Sequence, residues 1–142
     1  MTMKMSNEAI TEFLQEQRIG VLAINREGRP PQLVPVWFLY DGKDIWLMSE
    51  KRVPKIANMR RDSRLSLCVH DSTFPYRAVV VYGTGTLTEE NVQEKRREIA
   101  RRYLGEADGD AYVDQPRPRG VILIRLEPES FYSFDNGTGR TS

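Results

Sequence analysis

Six short apolar runs, mostly joined by turns, constrain the fold of this chain more than any other feature. They cover Ile19–Asn25, Leu33–Tyr40, Ile45–Met48, Arg64–His70, Tyr76–Thr86 and Gly120–Leu126, and Ser130–Phe134 is a candidate extension of the last one. Asp41-Gly42 separates two of these runs and predicts a hairpin between them. Since helices are too few for a doubly wound parallel sheet, the pattern predicts a mainly β, α+β fold. We expect a six-stranded antiparallel barrel, closed or split, with peripheral helices.

Three helical patterns lie between these runs. Ser6 is a plausible N-cap for a first helix that ends near Arg18, and Pro54 begins a short second one. A third starts at Thr88, with acidic residues first and basic residues last, as the helix dipole favours. Residues 105–118 are polar and then Pro-rich and are expected to form a loop. A chain of 142 residues predicts a single domain over residues 1–142.

Pro35 is an anomaly inside the second apolar run. Proline cannot donate a hydrogen bond to a neighbouring strand, so it is confined to edge strands and bulges, or to places where the strand faces something else. An edge strand is the simpler explanation. A flat ligand lying along that edge is the alternative.

The stretch Ser49–Arg64 concentrates positive charge around the predicted start of the second helix. Lys51, Arg52 and Lys55 lie where the helix dipole disfavours cations. Because an anion would relieve this arrangement, and free backbone N–H groups are available there, the stretch predicts a phosphate site. A solvated basic loop explains the charge equally well. Arg60, Arg61 and Arg64 lie at the other end of the helix, where cations are favoured.

Composition narrows the possible functions. A net charge of +1 argues against a dedicated nucleic-acid binder, and the single Cys excludes an internal disulfide or a Cys-rich zinc site. Neither a signal peptide nor an apolar run long enough to span a membrane is visible, so we expect a cytoplasmic protein that binds neither nucleic acid nor membrane. The side chains offer neither a metal cluster nor a carboxylate pair suited to acid–base work. If this chain catalyses a reaction, a cofactor carries the chemistry.

Several segments resemble the pyridoxamine 5'-phosphate oxidase-like superfamily, and most closely its small flavin- or deazaflavin-dependent oxidoreductases. They are IGVLAINREGRPPQLVPVWFLYDG, KRVPKIANMRRDSRLSLCV and YRAVVVYGTGTL, and residues 55–62 match the pattern K-x-x-N-[LM]-R-R-D. The resemblance implies a split-barrel homodimer with cofactor sites at the subunit interface. The C-terminal FDNGTGRTS does not match the substrate-binding segment of true pyridoxamine phosphate oxidases, which argues against that particular activity.

The resemblance also assigns cofactor-binding residues. The segment Val34-Pro35-Val36-Trp37 would lie against the cofactor ring. The phosphate would be held by residues matching Ser49, Lys51, Arg52 and Lys55. Tyr76 and Arg77 would approach the site, and Phe134 and Asp135 are weaker candidates for residues contributed by the partner subunit.

Two cofactors fit this resemblance, coenzyme F420 and FMN. The acidic tail of the deazaflavin coenzyme F420 would suit a basic groove continuing towards Arg60 and Arg61, and the 55–62 pattern resembles F420-using members more. The implied reaction is hydride transfer between the cofactor and a planar unsaturated small molecule, with no side chain assigned as catalytic. The alternative is a non-enzymatic flavin or haem carrier or sensor, for which His70 is the only histidine ligand.

Overall fold

The computed structural model describes residues 3–137 and contains four helices and seven strands. The helices are α1 (Asn7–Gln15), α2 (Pro54–Arg61), α3 (Val92–Leu104) and α4 (Glu106–Asp114). The strands are β1 (Gly20–Arg26), β2 (Arg29–Val36), β3 (Leu39–Tyr40), β4 (Ile45–Glu50), β5 (Arg64–His70), β6 (Arg77–Thr88) and β7 (Val121–Asp135). No helix in this range is long and apolar enough to cross a membrane.

All seven strands form one antiparallel sheet in the order β2-β1-β5-β6-β7-β4-β3. The predicted antiparallel α+β fold is therefore confirmed, but the predicted six strands are wrong, because the run Leu33–Tyr40 divides into β2 and β3. Ser130–Phe134 does extend the last strand. The sheet is not closed by hydrogen bonds, since its two edge strands, β2 and β3, do not pair with each other.

These two edges are nevertheless close together, because β2 and β3 are consecutive in the chain. Only Trp37 and Phe38 separate them, so the Cα atoms of Val36 and Leu39 lie within about 11 Å. A flat seven-stranded sheet would place its edges about 29 Å apart. The sheet must therefore curl strongly, which gives a split barrel around one core.

The core lies inside this curl and is completed by two helices. Leu22, Leu67, Val81 and Ile124 come from four neighbouring strands and are fully buried. The buried side chains of α1 and α2 belong to the same core. Ser6 caps α1 as predicted, its side chain accepting a hydrogen bond from the Ala9 N–H at 3.1 Å.

A helical hairpin, α3 and α4, occupies the segment between β6 and β7. The predicted loop at residues 105–118 is wrong, because Glu106–Asp114 is helical. Gly105, with φ of 86°, makes the turn between the two helices. Gly109 allows their close approach, since a Cβ there would lie 2.7 Å from the Arg101 backbone. A helix forms where the sequence predicted a loop because the two helices pack closely at Gly109. Local sequence rules do not take such packing into account.

Gly83 lies where β6 and β7 come closest, at a shift in their register. A Cβ on Gly83 would overlap the carbonyl oxygen of Glu127, whereas one on Gly85 would mainly meet the flexible end of Leu65, at 2.5 Å. This supports the bulge and close approach expected of a glycine inside a strand.

Gly83→Ala should therefore lower the free energy of unfolding by about 3 kcal/mol or more, because neither backbone can yield easily. Gly85→Ala is the matched control and should cost less, about 1–2 kcal/mol, since the Leu65 side chain can move. Urea unfolding of both variants measures the difference. Equal losses would contradict this account of the bulge.

Candidate cofactor site

The start of α2 is an uncapped helix N-terminus next to the end of β4. Val53 is the N-cap and offers no side-chain acceptor, while Pro54 takes the first helical position. The first turn of α2 contains no acidic residue. The positive end of the helix dipole is thus not offset by the chain's own residues in the first turn, and it can accept an anion.

The cations around this helix start differ in what they already bind. Lys51 forms an ion pair with Glu89, and its stem packs beside Gly120. Lys55 is half-buried, and no carboxylate in residues 3–137 lies within ion-pair distance of it. Burial lowers the pKa of Lys55, although the charge of Glu50 opposes this shift. Lys55 is therefore the cation best placed to gain from a bound anion.

The other residues predicted to bind phosphate differ in whether their polar groups already have partners within the protein. Arg52 and Arg60 are exposed and have no ion-pair partner in the described part of the chain. Arg61 donates hydrogen bonds to the carbonyl oxygen of Asn25 and the side chain of Asn58. Ser49 is buried, and its hydroxyl donates to the carbonyl oxygen of Glu50 at 3.0 Å. Arg52 thus remains free for an anion, whereas the Ser49 hydroxyl would have to exchange its partner.

The predicted ring-binding segment lies along the split of the barrel. Pro35 is exposed on β2, an edge strand, which by itself accounts for a proline there. Val34 and Val36 pack against the core. The indole of Trp37 stacks on Tyr103 of α3, with ring centroids 5.1 Å apart and planes 6° from parallel. Trp37 therefore already joins the split edge to the helical hairpin.

Tyr76 and Arg77 lie far from Lys55 within one chain. Tyr76 precedes β6 and Arg77 begins it, at the end of β5 opposite to the end that α2 joins, and β5 is seven residues or about 20 Å long. Phe134 and Asp135 close the same end of the sheet, since Asp135 pairs with Arg77. The structure thus divides the sequence-predicted residues into two clusters rather than one site.

His70 also lies at that second end. It is exposed, and its Nδ1 lies 3.0 Å from the carbonyl oxygen of Asp71. Residues 3–137 contain no group of three His, Cys, Asp or Glu side chains arranged to hold a metal ion.

Sequence reasoning missed the contribution of the helical hairpin. Tyr103 donates a hydrogen bond to the carbonyl oxygen of Arg18 at 2.6 Å and accepts one from the Phe38 N–H at 3.1 Å. Tyr112 of α4 packs against Trp37 at 5.2 Å. The sequence signal for this contribution was the presence of aromatic residues near the basic end of the third predicted helix.

Comparison with known proteins agrees with this architecture. The family model described as pyridoxamine 5'-phosphate oxidase matches residues 6–135. The chain belongs to this family. No curated protein matched the sequence.

Three solved structures illustrate how the family fold recurs. A conserved hypothetical protein from Mycobacterium tuberculosis is 27% identical, with a TM-score of 0.78 over 97% of this chain and 90% of that one. A FAD-binding protein from Mesorhizobium loti is 22% identical, with a TM-score of 0.73 over 95% and 96%. An F420 reductase is 22% identical, with a TM-score of 0.69 over 84% and 93%. The latter two show a shared fold alone.

Asp71 connects Arg77 of the second cluster to Arg18, which follows α1. Its carboxylate accepts hydrogen bonds from Arg18 at 3.0 Å and from Arg77 at 2.7 Å. Burial raises the pKa of Asp71, but the hydrogen bonds from Arg77 and Arg18 outweigh it and hold the pKa below its ordinary value. The ionised carboxylate therefore stabilises the folded state.

Asp71→Asn should lower the free energy of unfolding by roughly 1–3 kcal/mol at neutral pH. A lowered folded-state pKa gives stability that is present above the unfolded pKa of about 4 and is lost as pH falls through the folded value. The difference between the variant and the unmodified chain should therefore shrink in acid. Urea unfolding across this pH range, with Glu27→Gln as a control, measures it. A difference that stays constant would contradict the assignment.

Proposed function

We propose that this protein is an oxidoreductase that binds coenzyme F420, or alternatively FMN, with the cofactor phosphate at the start of α2. The observation that carries the proposal is Lys55, a half-buried cation without a carboxylate partner in residues 3–137, next to an uncapped helix N-terminus. A phosphate satisfies both features, because it takes hydrogen bonds from the ammonium group and from free backbone N–H groups. The donor set therefore fits the group.

Each cation has a distinct expected role. Lys55 would hold the phosphate, and Arg52, exposed and unpaired in the described chain, would close over it. Lys51 would contribute less, because Glu89 already neutralises it. Arg60 would contact an acidic tail that extends along α2, which is the feature favouring coenzyme F420 over FMN. The F420 reductase among the structural relatives is consistent with this preference but does not decide it.

The bound cofactor would supply hydride transfer to or from a planar unsaturated small molecule. The chain's own residues would bind and orient the reactants, because holding them in contact removes much of the entropic barrier. The segment Val34–Trp37 would lie beside the ring, with Trp37 held rigid by Tyr103. A carrier or sensor without turnover remains the alternative.

We also propose that the protein is a homodimer. Two rows of directly paired residues cross the outer side of the sheet, which we call the outer sheet face. They are Pro35, Val21, Cys68, Val80 and Tyr132, and Leu33, Ala23, Ser66, Tyr82 and Ser130. Leu33, Tyr82 and Tyr132 are 67%, 45% and 56% exposed. A sheet face with several large exposed apolar and aromatic side chains is typical of an interface.

Lys55→Ala should weaken cofactor binding at least about tenfold, because it removes a charge-assisted contact worth roughly 1.5–3 kcal/mol. Parallel fluorescence titrations with coenzyme F420 and FMN measure this and separate the two cofactors. Lys51→Ala should have a smaller effect, since Glu89 already pairs with Lys51.

Lys43→Ala removes the same charge in the exposed β3–β4 turn and serves as the control. Unchanged affinity for both cofactors in Lys55→Ala would disprove the site. Tight binding without reduction of the cofactor by any electron donor would favour the carrier function instead.

Tyr132→Glu should convert the dimer to a monomer, because it replaces an exposed aromatic side chain of the outer sheet face with a charge. Sedimentation measures the change, and Lys43→Glu, on the β3–β4 turn, is the control. A monomeric unmodified protein would refute the dimer, and loss of cofactor affinity together with dimerisation would indicate a shared site.

A further inference from the structure

A cavity of about 210 Å³ lies between the end of β4 and the helical hairpin. Its lining consists of Met48, Ser49 and Glu50 from β4, Arg96 from α3, Tyr112 from α4, and Arg117 and Val121 from the following segment. A second cavity of about 430 Å³ shares Arg96, Arg117 and Val121. Two arginines thus border the space between the hairpin and the sheet.

Arg96 is the unusual member of this lining because it is a buried charge. It is 4% exposed, and its Nη1 donates to Gln93 at 2.6 Å and, at the limit of hydrogen bonding, to the carbonyl oxygen of Val113 at 3.5 Å. Its Nη2 is enclosed and has no acceptor among residues 3–137. No ion pair to a carboxylate forms in that range either. A buried guanidinium left in this state costs stability unless something pairs with it.

Arg117 adds a second cation to the same space. Its guanidinium lies over the Tyr112 ring at 4.8 Å and makes no ion pair within the described chain. Burial lowers the pKa of Arg96, and the charge of Arg117 lowers it further. Arginine nevertheless stays protonated in proteins, so two like charges face one cavity.

The acidic residues bordering these cavities are engaged elsewhere. Glu50 pairs with Arg119 at 3.6 Å, and Asp114, which lines the larger cavity, pairs with Arg97 at 3.9 Å. Neither carboxylate neutralises Arg96 or Arg117 through an ion pair. The local charge therefore favours an external anion.

We propose that this cavity is a binding site for a small oxyanion, a phosphate or carboxylate group held between Arg96 and Arg117. Guanidinium groups suit such anions because they donate two parallel hydrogen bonds to a pair of oxygens. Tyr112 provides a further hydroxyl donor. Lys55 does not line this cavity, although Ser49, another of the predicted phosphate residues, does. The proposal rests on Arg96 and Arg117 and does not depend on the proposed cofactor.

Phosphate and carboxylate groups occur both in free small metabolites and in the acidic parts of larger ligands. Inorganic phosphate and succinate, titrated separately by calorimetry at constant ionic strength, present these groups without the larger ligand. We expect at least one of them to bind and to raise the thermal unfolding midpoint, since a ligand of the folded state stabilises it. Arg117→Gln should weaken that binding at least about tenfold.

Two further variants separate this site from the start of α2. Lys55→Ala should keep the probe binding that Arg117→Gln loses, whatever further phosphate the start of α2 takes up. Arg29→Gln, which removes an exposed arginine outside the cavity, should bind the probe as the unmodified protein does. Failure of both probes to bind would overturn the proposal. Binding lost in Lys55→Ala but kept in Arg117→Gln would also overturn it, because the anion would then occupy the start of α2.

Arg96→Met tests the proposal through the thermal stability of the protein, measured with and without the anion. Without an anion the variant should unfold at a temperature equal to or above that of the unmodified chain, because an unpaired buried charge is removed. When the probe that binds is added, the unfolding temperature of the unmodified protein should rise and that of the variant should not. A variant destabilised equally in both conditions would mean that Arg96 serves packing alone, which contradicts the proposal.

Discussion

The two-residue link between β2 and β3 is the constraint on which the rest of this structure depends. It fastens together the two edges of a seven-stranded sheet, so the sheet must curl around its own apolar face. The link itself is not stabilised by strand pairing. Phe38 is instead fully buried, and its backbone N–H is satisfied by the Tyr103 hydroxyl of α3. The hairpin is therefore part of what holds the split barrel in shape.

The same attachment explains why the hairpin creates cavities. Trp37 stacks on Tyr103, and Arg102 donates hydrogen bonds to the carbonyl oxygens of Gln15 and Glu16 where α1 ends. α3 is thus tied to the split edge and to α1. α3 also contacts β3, β4 and β7, and buried Arg96 lines the cavity that remains between the hairpin and β4.

Local rules predicted the elements whose signals lie within one segment. The alternation in Arg64–His70 gave β5 with its observed bounds, and the Ser6 cap gave the start of α1. The predicted end of that helix near Arg18 was three residues too late, because α1 ends at Gln15. The division of Leu33–Tyr40 and the helix α4 were missed because local patterns do not show contacts between elements. Tyr103 of α3 contacts Trp37 and Phe38 where the run divides, and α4 depends on the contact of Gly109 with Arg101. The sequence shows which residues are positively charged, but it does not show which of them form ion pairs with carboxylates. Only the structure distinguishes Lys51, which Glu89 neutralises, from Lys55, and identifies Arg96 as a buried charge rather than one of a basic run.

The separation of the candidate residues into two clusters bears directly on how a cofactor site can be built. Tyr76 and Arg77 lie at the end of β5 opposite to the end that α2 joins, about 20 Å along the strand, whereas Lys55 lies in the first turn of α2 and Arg52 just before it. A compact ligand cannot contact both ends of one chain. In a two-fold dimer built on the outer sheet face, each end of one sheet can meet the opposite end of the other, because an isologous interface pairs residue i with j and j with i. The proposed dimer would then account for both the exposed outer sheet face and the divided site, because the second copy would bring the missing cluster to each proposed cofactor site.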